Sequence, residues 1–279
     1  MNCTHSGSKV RYFTRASALA VVCLAGLGAL AQPGPAGQKK PAPRAVITEK
    51  FQRTLPLAWG GTFSLANVNG SIEVEGWSRE EVQITALQTR AADLAEGSGV
   101  KIEVLARADG IAVRTIYPEG EGVDVGVEYH VRVPHRVRLE SVATVNGTVR
   151  VRAVEGAGAL RTVNGNIEFY DGAGHFDARS TNGNIYMELG HLGDTLAEGD
   201  APATIETING TVVLALPAQT NSDLDIRSLN GDFSSELPVE RSASAGGRQL
   251  RCRLGTGGRR LRIQTMNGAV RLRMAGPIV

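Results

Sequence analysis

Ionisable side chains do chemistry only when the fold brings several of them together, and this sequence of 279 residues offers three sets to consider. The first is acidic. Asp223 and Asp225 in "DLDI" and Glu73 and Glu75 in "IEVE" are spaced by two, so on a strand each pair shares one face. Paired carboxylates could act on a polysaccharide if a neighbouring strand added a third acid or a base. The same spacing arises whenever a strand alternates between core and solvent. The second set is His130, His135, His175 and His191. No H-E-x-x-H and no cysteine pair accompanies them, so they read as surface or strand-end histidines with no metal bound. "DGAGHFD" (171–177) resembles a calcium loop but lacks the nonapeptide spacing of calcium-binding β-rolls. No G-x-S-x-G elbow and no phosphate-binding G-K-[ST] occurs, "GTGGRR" (255–260) reads as a turn, and no cofactor is expected.

The third set is basic. Residues 240–279 hold nine arginines and one glutamate. In "LRCRL", "RRLRI" and "VRLRM", Arg251, Arg253, Arg260, Arg262, Arg271 and Arg273 alternate with apolar residues. If the apolar set is buried, the six guanidinium groups face outwards. Such a stripe suits an anionic envelope polymer or lipid headgroups, held by bidentate arginine contacts, with no specific nucleic acid implied. The alternative is a solvated face whose arginines pair with acids elsewhere.

The elements that must carry these residues announce themselves by repetition. Asn-Gly occurs at Asn69-Gly70, Asn146-Gly147, Asn164-Gly165, Asn182-Gly183, Asn209-Gly210, Asn230-Gly231 and Asn267-Gly268. Four residues before each Asn stand Leu65, Val142, Leu160, Ala178, Ile205, Ile226 and Ile263. Two before it stand Asn67, Thr144, Thr162, Ser180, Thr207, Ser228 and Thr265, all small and polar. Two after each Gly, apolar residues return: Ile72, Val149, Ile167, Ile185, Val212, Phe233 and Val270. Alternation on both sides of a turn means strand, turn, strand with one face buried. Two architectures fit: a meander of hairpins, or a β-solenoid whose equivalent positions stack. The constant frame, with length variation confined to the intervals between frames, favours stacking. Stacking predicts one column of Thr144, Thr162 and Ser180, with Ile167 against Ile185. Gly165 and Gly183 are expected at positive φ.

From 45 to 134 the frame occurs once and longer alternating runs follow, with a hairpin turn expected at 108–110 and a short helical candidate at 91–96. Ahead of this, Lys9, Arg11 and Arg15 precede an uncharged run ending in Ala29-Leu30-Ala31, which reads as a secretory signal peptide cleaved after Ala31. Residues 32–44 carry four prolines and read as a tether. Cleavage leaves Cys252 as the one cysteine and a balance of 27 basic minus 28 acidic residues, or −1, which singles out no partner. No further apolar run is long enough to cross a membrane as a helix.

"LANVNGSIEVEGW" (65–77), "VEYHVRVPHRVRLESVATVNGTVRV" (127–151) and the recurring "TVNGNIE" and "TINGTV" resemble a bacterial adhesin domain family of unknown function. The resemblance spans 45–279. It implies an all-β, right-handed β-helix-like domain, akin to the head domain of auto-transporter adhesins, without enzymatic activity. The expected organisation is a signal peptide (1–31), a tether (32–44), longer strands capping one end (45–134) and an Asn-Gly-cornered solenoid (135–279). The expected role is that of an exported, non-enzymatic, adhesin-like binding or scaffold module in the periplasm, in the medium or on the cell surface. The alternative is a polysaccharide-active enzyme with an acidic groove on the solenoid wall.

Overall fold

The structure, a computed structural model, describes residues 46–91, 99–118, 125–192, 201–242 and 249–276. The leader, the tether and all but the first residue of the 91–96 helical candidate lie outside them. Residues 44–279 form one compact unit, and every regular element among the described residues is a strand.

The seven frames set the pattern. Each places one strand before its Asn-Gly and one after it, and these two strands do not pair with each other. The strands before are β2 (Thr62–Ala66), β8 (Arg136–Asn146), β10 (Glu155–Asn164), the second half of β11 (Ile167–Asn182), β13 (Ala203–Asn209), β15 (Ser222–Asn230) and β19 (Arg259–Asn267). They stack in parallel as one wall. The strands after are β3 (Ile72–Trp77), β9 (Val149–Arg152), the first half of β11, β12 (Ile185–His191), β14 (Val212–Leu216), β16 (Phe233–Ser235) and β20 (Val270–Met274). They stack in parallel as a second wall. Frames therefore pair with neighbouring frames rather than closing as hairpins. Inward columns such as Val142–Leu160–Ala178–Ile205–Ile263–Ile226 and Val149–Ile167–Ile185–Val212–Val270 are almost fully buried. Thr144, Thr162 and Ser180 share one column, as expected. Each such aliphatic side chain contributes about 1.5–3 kcal/mol by leaving water.

The corners differ from expectation in their physics. Gly165 and Gly183 are not among the glycines with left-handed φ; Gly70, at φ 123°, is. What excludes a side chain is the neighbouring layer. A Cβ on Gly165 would overlap the carbonyl oxygen of Gly147, and one on Gly183 that of Gly165. That carbonyl is also an acceptor, because Thr162 donates to Gly147 O at 2.9 Å, Ser180 to Gly165 O at 3.0 Å and Thr207 to Gly183 O at 2.9 Å. The small polar column is buried because each hydroxyl has this partner. Outside it the asparagine amides form a chain: Asn146 donates to Asn69, Asn164 to Asn146, Asn182 to Asn164, Asn209 to Asn182, Asn267 to Asn209 and Asn230 to Asn267, at 2.7–3.0 Å.

That chain also gives the spatial order of the layers, which is not the sequence order. The Asn267 layer lies between those of Asn209 and Asn230, so the last frame in the chain is the penultimate one in space. The other end mirrors this. β6 (Gly110–Ile116) and β7 (Val125–Pro134) form a layer without an Asn-Gly frame, and it stacks outside the first frame. Antiparallel strands then close both ends. β5 (Lys101–Ala106) joins β6 through the hairpin turn at 108–110, β4 (Glu81–Ala91) joins β7, and β1 (Val46–Pro56) joins β4. At the far end β18 (Gln249–Leu254) lies on β15, and β17 (Glu240–Ser242) on β18.

Candidate binding surfaces

The inserted last layer decides where the arginines go. β19 lies against one edge of β15 and β18 against the other, so the pairs Arg251/Arg253 and Arg260/Arg262 are separated by Asp223 and Asp225. In register, Asp225 stands between Arg251 and Arg262, and Asp223 between Arg253 and Arg260. Arg253 pairs with Asp223 at 3.1 Å; Asp225 accepts from Gln249 at 2.9 Å and lies 3.6 Å from Arg227. With Glu240, these four arginines line a groove of about 780 Å³. Arg271 and Arg273 are elsewhere, on the second wall, opposite Val213 and Ala215. The single six-arginine stripe is thus corrected to a mixed-charge groove and a separate pair. The cause is the order of layers, which interleaves β15 between the two basic strands. Within the groove, Arg251, Arg260 and Arg262 have no ion-pair partner among the described residues. Nε of Arg262 is buried without a hydrogen-bond partner.

The outer face of the second wall carries a different arrangement. Glu73 meets His130 and Glu75 meets Arg132, each at 3.0 Å, so the second acidic pair is cross-linked to β7. Further along, Arg150 is 2.8 Å from Glu168, and this hydrogen-bonded carboxylate holds the guanidinium protonated above its ordinary range. Tyr170 and Tyr186 follow, ring centroids 5.0 Å apart, with Arg152 over Tyr170 at 5.1 Å. Desolvation, then the neighbouring Glu188 carboxylate, pushes the Tyr186 phenol up to about 12. This ladder of alternating charge and tilted, neighbouring rings ties successive layers together.

Two features escaped the sequence reading. His175 and His191 line one hollow with Arg259, whose Nη1 is 3.2 Å from Nδ1 of His175, although 16 positions separate the histidines in the chain. Among the described residues no group of three or more His, Cys, Asp or Glu is arranged to hold a metal. In six of the seven frames the residue just before the Asn is apolar and faces out: Val68, Val145, Val163, Ile208, Leu229 and Met266 are 37–47% exposed, and Thr181 takes this place in the frame of Asn182. They form an apolar column beside the asparagine chain, interrupted at Thr181. The signal was present in "TVNG", "TING" and "TMNG", one position away from those that define the frame.

No protein-family model matches the chain, and no curated protein matches it in sequence. Among solved structures, a putative cell adhesion protein from Clostridium sporogenes aligns at 8% identity over 81% of this chain and 100% of that one, with a TM-score of 0.43. A putative adhesin from Bacteroides fragilis aligns at 11% identity over 80% of this chain and 97% of that one, TM-score 0.34. A putative lipid binding protein from Parabacteroides distasonis aligns at 9% identity over 80% of this chain and 96% of that one, TM-score 0.27. No residue role is carried over from them. No helix among the described residues is long and apolar enough to cross a membrane.

Proposed function

We propose that this is an exported, non-enzymatic, adhesin-like binding module, built as a right-handed β-helix-like solenoid, that holds an acidic polysaccharide of the bacterial envelope. The leader and tether composition support export to the periplasm or cell surface, and the parallel in-register layers support the solenoid. The observation that carries the ligand class is the groove on β15, β18 and β19. Arg251, Arg260 and Arg262 line it without an ion-pair partner among the described residues, and so offer their guanidinium groups to ligand carboxylates. Asp223, Asp225 and Glu240 lie alongside as acceptors for sugar hydroxyls. The two aspartates are also engaged structurally: Asp223 holds Arg253 and the Gly258 amide, and Asp225 holds Gln249. That favours binding over acid–base turnover.

The test is binding of the purified protein to heparin-like and lipopolysaccharide-like polymers. Affinity should fall steeply with added salt. Changing Arg251, Arg260 and Arg262 together to Gln should lower affinity by about two orders of magnitude, roughly one charge-assisted contact or less per arginine. Changing Arg271 and Arg273 to Gln should leave binding near that of the parent. Equal losses from both sets would put the ligand elsewhere. Release of reducing ends from the polymer would restore the enzymatic alternative.

A further inference from the structure

The first strand of the domain has an edge with no partner. β1 pairs along all eleven residues with β4, from Val46 opposite Ala91 to Pro56 opposite Glu81. Among the described residues no strand lies on its other side. Long, regular edges of this kind offer a row of unpaired N–H and C=O groups, and proteins usually blunt them with bulges, shortness or inward charges. β1 has no bulge, and its one proline is its last residue. Its inward charges are the opposite pair Glu49 and Arg53, which share the face of Phe51 and Leu55 and so deter a partner strand unless its charges match in register. Its core-side residues Phe51 and Leu55 pack only partly against the core, and Ile47 is 37% exposed. An apolar rim is therefore left at the open edge.

The sequence of the strand says what fits there. "ITEKFQRTL" (47–55) is self-complementary about Phe51. An antiparallel second copy centred on Phe51 sets Ile47 opposite Leu55, Thr48 opposite Thr54, Glu49 opposite Arg53 and Lys50 opposite Gln52, each twice by symmetry. Opposite charges and apolar pairs facing across antiparallel strands are the favourable combinations. Centring on Lys50 would set Ile47 against Arg53, and centring on Gln52 would set Glu49 against Leu55. A parallel in-register partner would face Glu49 with Glu49 and Arg53 with Arg53. One register satisfies every pair. Within its own chain Glu49 already lies 3.5 Å from Arg90, yet its side chain remains 59% exposed, and Arg53 has no ion-pair partner among the described residues. The acid is open to a second cation and the base lacks an anion.

We propose that β1 is the interface of a two-fold dimer of this chain, formed by antiparallel pairing of β1 with β1 of a second copy about Phe51. The pairing would continue the second wall across the symmetry axis and bury the rim at Ile47, Phe51 and Leu55, as expected of a self-complementary two-fold contact. The experiment is sedimentation equilibrium on the purified chain and two charge variants. The parent should dimerise. Arg53→Glu sets two acid pairs against each other and Glu49→Lys two basic pairs, so each should weaken self-association by about tenfold or more. An equimolar mixture of the two variants restores both opposite-charge pairs and should form a heterodimer, detected by co-purification of differently tagged chains. Arg53→Lys keeps the charge and should keep the dimer, which decides the matter should Glu49→Lys fail to fold without its contact to Arg90. A monomeric parent, a dimer indifferent to Arg53→Glu, or a mixture that stays monomeric would overturn the proposal.

Discussion

Asn182 both gives and takes: its amide donates to Asn164 at 3.0 Å and its carbonyl accepts from Asn209 at 2.8 Å. Asn230, at the end of the same chain of amides, only donates. Asn carries a donor NH₂ and an acceptor carbonyl on one short side chain, so it can continue such a chain where Asp, an acceptor only, could not. All of these amides are at the surface, so water competes for each bond and the net value per bond is small, about 0.5–1.5 kcal/mol. Asn182→Ala should accordingly lower the unfolding free energy by about 1–2 kcal/mol, and Asn230→Ala by about half as much, in matched urea titrations. Equal losses at the two positions would mean that the asparagines act through local turn geometry and not as a chain. The glycine beside each Asn answers to a separate constraint, the passage of the next layer's carbonyl over its Cα.

At the scale of elements, a buried hydrogen bond between side chains joins the two walls across the N-terminal end of the core. Thr115 of β6 and Tyr129 of β7 meet hydroxyl to hydroxyl at 2.6 Å. Tyr129 is 1% exposed, and burial pushes its phenol up to about 12 against an ordinary 10.0, with the Thr115 bond acting the other way. The unfolded chain releases that proton near pH 10 and the folded chain only near 12, so across that window the folded state binds more protons. Stability contributed by the neutral phenol is complete below pH 10 and is lost as pH rises towards 12. Urea titrations at pH 8 and pH 11 should show this fall, and Tyr129→Phe should reduce it without abolishing it, since Tyr186 is also pushed up to about 12. At pH 8 the same variant should cost about 1–2 kcal/mol, because the Thr115 hydroxyl is left buried and unpaired. Much at this scale was legible in the sequence: period-two alternation gives the inward columns, and the constant Thr/Ser position gives the polar one. The order of layers was not. One frame's buried face is nearly interchangeable with another's, so no local pattern says whether the Asn267 layer stacks on that of Asn230 or of Asn209. That choice rests on the antiparallel strands β17 and β18 occupying the outer edge of β15, a contact between segments whose own pairing preferences are generic. The division of the arginines was hidden for the same reason.

For the molecule as a whole, both ends are built by the same inversion. The first frame lies inside the β6–β7 layer, and the last frame inside the Asn230 layer. A repeat protein in simple sequence order presents its chain ends as outermost units, each held by one interface, and these fray first. Here β19 and β20 are each held on two sides, by β13 and β15 and by β14 and β16. The outermost unit is instead an internal segment, β15 and β16, and of these β16 pairs with one strand among the described residues, β20. Hydrogen exchange should therefore rank the amides against chain position. Those of β19 and β20 should be as protected as those of β13 and β14, while β16, more than 30 residues further from the C-terminus than β20, should exchange first. Ending the chain at Gly258 sharpens the contrast. It removes one layer but breaks two interfaces, leaving β13 and β15 without a partner between them, so β15–β18 should lose protection along with the deleted strands. The layers from β8 to β12 should keep theirs. Protection that instead declined smoothly towards the C-terminus, with β20 least protected, would show the layers stacked in sequence order.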